Sequence, residues 1–406
     1  MIDIKIKVGT FTQFITDFSF FIFMVTLLTV DHSIFSQIAI IIFISSTILL
    51  MYEKRIIKSS SYFFYTFLII LYSYINILYV NVIYPPASIK LLNTIVINFI
   101  VMFFLYNYIV LRNDIKKLFQ IFLFAIFIVS IISFISYLLT SSIGSRLGSS
   151  LGINPNIIAI ASAVSFLIIF FILFIYKNNN FYLYNHKKNL ILLFWYLIIV
   201  LLTGSRKGLL IIILGIIFFI FLSLKFKKKI KYIVIISILF TLIYIIIMYN
   251  DFFYNIVGYR IEALILYITE GEITESSLYS RSNYISLGKE LFFKRPWIGY
   301  GLDSFRILNY EDTYSHNNYI ELLVSGGIIL LLLYYINYII LLIKAIKLKR
   351  KGSNIMILVI CLILIFLIIE YAVVTYYSRF YLSIIVIGYA MYYLEKKKIG
   401  LRIKEE

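Results

Sequence analysis

The chain has 406 residues, of which 62% are hydrophobic and 14% charged, with a mean hydropathy of +0.99 and a formal net charge of +18. A soluble protein of this length could not cover so apolar a chain with polar surface, so composition excludes a soluble globular protein and leaves a polytopic membrane protein. The basic excess, which would suggest nucleic acid in a soluble chain, lies here in short segments between apolar runs and reads as a topogenic signal, so no nucleic-acid partner is expected.

A spanning helix needs roughly 20 apolar residues. Runs of this kind occur near 11–30, 34–51, 62–83, 90–111, 118–139 and 157–176, then near 189–202, 208–224, 232–249, 317–343, 355–375 and 378–394. The first run has no small-residue cleavage site and is expected to remain as an anchor. The single cysteine, Cys361, lies in the eleventh run, so disulfides do not shape the fold. The expected fold is therefore all-α, with about twelve transmembrane helices. With the amino terminus inside, the inner segments hold 26 of the 37 basic residues, including Lys54, Arg55 and Lys58, Arg112, Lys116 and Lys117, and Lys344 to Lys351. Every inner loop is then basic, which favours amino and carboxyl termini both on the cytoplasmic side.

Two outer loops are long. Residues 140–156, TSSIGSRLGSSLGINPN, are rich in Gly and Ser. Residues 250–316 separate nine spans (1–249) from the last three and the tail (317–406). In this large loop, Tyr284, Leu287 and Leu291 recur at helical spacing, which predicts an amphipathic helix near 279–293 ended by Pro296, with a second near 252–268. PWIGYG (Pro296–Gly301) is apolar and glycine-bearing and is expected to dip toward the membrane. Loops of this length are usually functional or disordered, and the aromatic and aliphatic content argues against disorder.

Three polar signals face the outside. In TGSRKG (Thr203–Gly208), Arg206 and Lys207 break the charge rule for outer loops. If Ser205 caps the eighth span, Arg206 sits in its first turn, where the helix dipole disfavours a cation unless an anion is held there. The alternative is an arginine snorkelling to lipid headgroups. In YSRSNY (Tyr279–Tyr284), Arg281 falls on the expected amphipathic helix and reads either as a ligand-binding cation or as a solvated one. In SHNNYIELLVSGG (Ser315–Gly327), Ser315 as cap would leave His316 in the first helical turn, where the dipole lowers its pKa and keeps a neutral imidazole suited to a general base. Packing at the interface is the alternative. Asn317 and Asn318 are candidates for holding sugar hydroxyls.

Asp31 and His32 are adjacent in a short turn and are discounted as a pair. Asp17 and Glu370 lie within spans, which makes them functional hints or residues with helix partners. His186 lies beside lysines and reads as solvated. The sequence has no metal-ligand spacing and no nucleotide-type phosphate loop, so neither a metal nor another cofactor is expected.

Taken together, NPN (Asn154–Asn156), GSR (Gly204–Arg206), an arginine on a loop helix followed by RPWIGYGLDSF (Arg295–Phe305), and HNNYIELLVSGG (His316–Gly327) resemble, in order and spacing, the bacterial O-antigen ligase and polymerase superfamily. The likeness covers about residues 140–335. Leu330 stands where that family often has a further glycine, which bears on helix packing. The resemblance implies a membrane glycosyltransferase of the C type. It implies inverting, metal-independent transfer at the outer face of the bacterial cytoplasmic membrane from a glycan on undecaprenyl diphosphate. By motif, Arg206 and Arg281 would bind the diphosphate and His316 would serve the acceptor hydroxyl, with Asn156, Lys207, Asn317 and Asn318 around the substrate. A polymerase of O-antigen or capsular repeat units is the favoured reading, since the large loop has a formal charge of −3 and no evident dock for a large anionic acceptor. A ligase delivering finished glycan to a lipid or protein is the alternative, and a lipid-linked oligosaccharide flippase a third. Expected partners are the lipid-linked donor, an acceptor glycan, membrane lipids, and polysaccharide export and chain-length proteins.

Overall fold

The computed structural model describes residues 2–30, 33–79, 82–140, 146–176, 183–224 and 226–405. Asp31, His32, Lys177, Lys225 and residues 141–145 lie outside the described residues, as do the side chains of Lys5, Lys7, Lys227, Lys228, Arg402 and Lys404. The protein is an all-α polytopic membrane protein. Among the described residues, nine helices are long and apolar enough to cross a membrane. They are α1 (Ile2–Thr29), α2 (Ile34–Lys54), α3 (Ser61–Tyr79), α4 (Pro85–Arg112), α5 (Ile115–Thr140), α6 (Pro155–Phe170, continued by a π turn to Tyr176), α8 (Arg206–Ser223), α9 (Phe226–Tyr249) and α14 (Asn318–Arg350).

The other three expected spans are helices too, but shorter or more charged. α7 (His186–Leu202) packs on α6, α15 (Met356–Ile369) lies between α8 and α14, and α16 (Arg379–Glu405) lies along α4 and α14. Helix starts follow local chemistry. Ser33, Asn154, Asn185 and Asn317 cap α2, α6, α7 and α14 with side-chain oxygens, and Pro85 and Pro155 occupy first-turn positions where no backbone donor is needed.

Hydrogen bonds fix two ends of the bundle. At one end, which we call the far face, Asn107 brackets the backbone of Lys58, Lys344 donates to Ser61, and Lys349 donates to the carbonyl of Leu222. At the opposite end lies the segment 250–316, and we call this the loop face. Its elements are α10 (Asp251–Phe253), a π turn (Tyr254–Gly258), α11 (Tyr259–Thr269), α12 (Ser276–Lys294) and α13 (Ser304–Leu308). The helices expected near 252–268 and 279–293 are thus present. α13 has no counterpart in the sequence reading, because five residues are too few for periodicity to register.

The intramembrane carboxylates both find helix partners. Asp17 on α1 accepts from Tyr108 (2.8 Å) and Arg112 (3.2 Å) on α4. Glu370, fully buried after α15, accepts from Tyr335 and Tyr338 at 2.6 Å each, and from Tyr334 at 3.2 Å. Such saturation is what a buried carboxylate requires.

The largest departure from the sequence reading concerns the run 317–343. It is not one straight span. Gly326 and Gly327 have non-helical backbone angles, with φ +64° at Gly327. Tyr319 stacks on Tyr335 at 4.8 Å, and the Asn318 amide donates to the Tyr335 hydroxyl at 3.2 Å. A straight helix would hold those residues about 24 Å apart at 1.5 Å per residue. The segment 318–325 is therefore an arm folded back on the spanning part, which begins at Ile328 and runs roughly 34 Å to Arg350. A hydrophobicity profile cannot detect this, because both limbs are apolar.

PWIGYG closes the break. Tyr300 N donates to Val324 O, Gly301 N to Ser325 O and Ile328 N to Pro296 O, each at 2.9 Å. Tyr72 of α3 donates to Gly326 O and Asn76 to Ile298 O, so the segment docks beside the last two turns of α3. A side chain at Gly327 would place its Cβ 2.3 Å from the Trp297 carbonyl. Gly327→Ala is expected to keep membrane insertion but to unseat the arm, since this backbone conformation, with ψ −163°, is nearly closed to L residues and costs about 1–3 kcal/mol before the clash is counted. Gly400→Ala, where the added methyl meets open space, is the control. Equal protease resistance of the two variants in detergent would contradict the docking.

Candidate active site

The GSR turn joins α7 to α8. Gly204 has φ +58°, and an added Cβ would lie 2.4 Å from the Ile256 carbonyl in the π turn of the large loop. Glycine is required there both for backbone conformation and for contact. Ser205 occupies the cap position of α8, but its hydroxyl makes no capping bond; it donates to Asn156 Oδ1 at 2.8 Å. The same oxygen accepts from Arg146 (3.2 Å), whose Nε donates to Thr203 O at 2.7 Å. The side-chain oxygen of Asn156 therefore ties NPN to GSR.

Arg206 emerges from this turn into an anion. Its guanidinium pairs with Glu275 at 2.8 Å and donates to Arg260 O (3.1 Å) and Ser277 Oγ (3.4 Å). The conflict between a cation and the positive end of α8 is thus relieved by a loop carboxylate. Around this pair lie Arg146, Lys207, Arg260 and Arg281. Burial, and then the charge of Arg260, lowers Arg146 to about 10; burial, and then Arg206, lowers Arg281. Arg281 and Lys207 make no hydrogen bond or ion pair among the described residues, although Lys207 is only 9% exposed. Two cations held out of bulk water without an acceptor form a site that favours an anion.

His316 is adjacent. It does not lie in the first turn of α14, because the cap is Asn317, whose side chain accepts from Tyr319 N (3.0 Å) and Ile320 N (3.2 Å). His316 precedes the cap with φ +55°, held by neighbours that bond one another. Ser315 N donates to the buried Glu321 carboxylate (2.9 Å), and Ser315 Oγ donates to Asn317 O (2.8 Å). The imidazole lies 4.2 Å from the ring centre of Tyr314 and 6.2 Å from that of Tyr284, nearly parallel to the latter. Tyr284, one turn along α12 from Arg281, donates its hydroxyl to Glu311. The pKa of His316 falls from 6.5 to about 4, through burial first and then Arg281 and Lys207. The imidazole is neutral as expected, but the cause is desolvation and neighbouring cations, not a place within the helix.

The side chains of the HNN asparagines are engaged within the protein. Asn317 is the cap. Asn318, fully buried, accepts from Thr375 N and Tyr376 N and donates to Tyr335, while its backbone N–H donates to Glu370 O. Together they tie the arm to α15 and so fix where His316 stands.

A cavity of about 620 Å³ opens beside these cations. Arg206, Lys207 and Arg281 line its polar end; α8 and α9 supply an apolar wall that includes Leu209, Ile213, Phe240 and Tyr244. α9 stands off the bundle with most of its described side chains exposed, so the cavity is bounded on that side by one loosely packed helix. His316 does not line this cavity, but Arg281 and Lys207, which do, are close enough for their charges to lower its pKa. Among the described residues, no three His, Cys, Asp or Glu side chains are grouped to hold a metal ion.

Residues 191–335 match the family model described as O-antigen ligase. This match covers less than half of the chain and supports a likeness to the O-antigen ligase and polymerase superfamily. Comparison with curated proteins finds no match. The matched segment runs from α7 through the break in α14 and contains Arg206, Lys207, Arg281 and His316; Asn156 and Arg146, which brace the O-antigen ligase segment, lie outside it. Arg146 escaped the sequence reading although it breaks the same loop-charge rule as Arg206. Glu275 escaped because nothing in the sequence pairs it with a residue 69 positions earlier.

Glu275→Gln tests that pairing. Freed of its carboxylate, Arg206 is expected to bind an anionic donor more tightly, with KM falling roughly 5- to 10-fold, equivalent to about 1–1.4 kcal/mol. A higher KM in steady-state assays would mean that Glu275 holds Arg206 in its working position.

Proposed function

We propose that the protein is a glycosyltransferase that moves a glycan from undecaprenyl diphosphate to an acceptor hydroxyl at the outer face of the bacterial cytoplasmic membrane. The observation that carries this reading is the cavity between α8 and α9, apolar along its length and ending at Arg206, Lys207 and Arg281. A polyprenyl chain suits the apolar wall, and a diphosphate suits the cations. The acceptor oxygen attacks the anomeric carbon from the side opposite the diphosphate, inverting it. As that bond forms, the carbon–oxygen bond to the diphosphate breaks and the leaving group takes the electron pair. His316 receives the acceptor proton. The arginines and Lys207 stabilise the departing charge, a role open to guanidinium groups without a metal. In this reading, both termini are cytoplasmic and the loop face is outermost.

The acceptor we favour is a second lipid-linked glycan, making the protein a polymerase of O-antigen or capsular repeats, because the large loop carries formal charge −3. A ligase is the second reading, and the family match is compatible with either. Glycan analysis of a strain lacking the gene separates them. Single repeat units on the final acceptor mark a missing polymerase; long polymer stranded on the carrier marks a missing ligase. Unchanged glycan would contradict both.

The cationic surroundings of His316 give a pH signature. In the free enzyme, the base form is lost only as pH falls through about 4, so the acid limb of kcat/KM should lie there. Bound diphosphate counters Arg281 and Lys207 and raises the imidazole pKa, so the acid limb of kcat should lie higher. Identical limbs near 6.5 in both profiles would contradict this coupling.

A further inference from the structure

The far face carries a second polar cavity, of about 450 Å³, between the start of α3 and the ends of α14 and α16. Lys344, Lys396 and Lys397 line it, and among the described residues no carboxylate does. The nearest candidate, Glu395, already accepts from Ser353 (2.8 Å) and Lys398 (3.0 Å). Lys344 is fixed in place. Its ammonium donates to Ser61 Oγ at 2.7 Å and lies 5.5 Å and 5.7 Å from the rings of Tyr389 and Tyr392, leaving two of its three donors for another partner.

Two further features point the same way. Ser60 lines the cavity with a buried hydroxyl that has no hydrogen-bond partner among the described residues. The 19-residue helix α3 begins at Ser61 and directs its positive end here. Tyrosine rings form the wall at the level where spanning helices end, a position such rings favour at a membrane interface. We propose that this cavity binds the phosphate group of an anionic phospholipid from the leaflet on the far face. The volume falls within the range of roughly 300–1,000 Å³ typical of small-ligand sites.

The test uses the purified full chain in native mass spectrometry, with phosphatidylglycerol, phosphatidylcholine or inorganic phosphate added separately. Retention of phosphatidylglycerol over phosphatidylcholine is expected to fall at least tenfold in Lys344→Gln/Lys396→Gln/Lys397→Gln. It should be unchanged in Lys187→Gln/Lys188→Gln, which removes exposed far-face charges outside the cavity. Ser60→Phe, which fills the space and keeps every charge, should also lose the lipid and guards against misfolding of the triple variant. Equal retention by cavity and control variants would overturn the site. Retention of inorganic phosphate without phosphatidylglycerol would overturn the lipid assignment.

Discussion

Replacing His316 with alanine is expected to slow glycosyl transfer by about 10²–10⁴-fold, the usual contribution of a positioned base, with insertion and folding unchanged. The separation of the two effects follows from the contacts. The imidazole makes no hydrogen bond among the described residues and touches its surroundings through the rings of Tyr314 and Tyr284. The loop is held instead by Ser315, Asn317, Asn318 and Glu321, none of which the substitution removes. Glu321→Gln is an informative companion. It weakens the acceptor for Ser315 N and should lower the rate by letting His316 drift, with a smaller effect on donor KM. Transfer at the normal rate in His316→Ala would remove the base role and leave the ring as packing between two tyrosines.

Arg281→Gln is expected to lower kcat by roughly 10²–10³-fold, the scale seen when one preorganised donor to a developing oxyanion is lost. Arg281 is the guanidinium with nothing yet to bind, whereas Arg206 is already paired with Glu275. The two arginines therefore differ. Arg281→Lys should recover little, because a point charge lacks the planar fork that matches phosphate oxygens. Arg206→Lys should impair transfer too, and should also loosen the large loop by giving up contacts to Arg260 O and Ser277. Rates by radiolabelled donor consumption, with protease resistance as the readout of loop order, distinguish these outcomes. Full activity in both lysine variants would assign the cations to general electrostatics.

Much of the architecture was legible because the signals are collective. Twelve apolar runs and basic loops register over many residues, and each run is helical in the structure, the run 317–343 as two limbs. Arg206, Lys207, Arg281 and His316, singled out by charge and position in the sequence, come from three separate elements and gather at one end of the bundle. The intramolecular bonds of the asparagines were not legible. Asn156, Asn317 and Asn318 have the donors and acceptors a sugar needs, but the same groups satisfy a turn, a cap and a buried junction, and only coordinates decide between those partners. The fold-back at Gly326–Gly327 was hidden for another reason. Paired glycines are compatible with either a tolerated helix or a reversal, and the choice depends on PWIGYG being present to accept and donate the freed backbone bonds.

A structure of the protein with undecaprenyl diphosphate bound in a lipid nanodisc tests the central claim most directly. The account predicts phosphate oxygens within hydrogen-bonding distance of Arg281 and Lys207, Arg206 turned from Glu275 toward the ligand, and the polyprenyl chain against α8 and α9. A diphosphate held elsewhere, with Arg281 and Lys207 still unengaged, would contradict it.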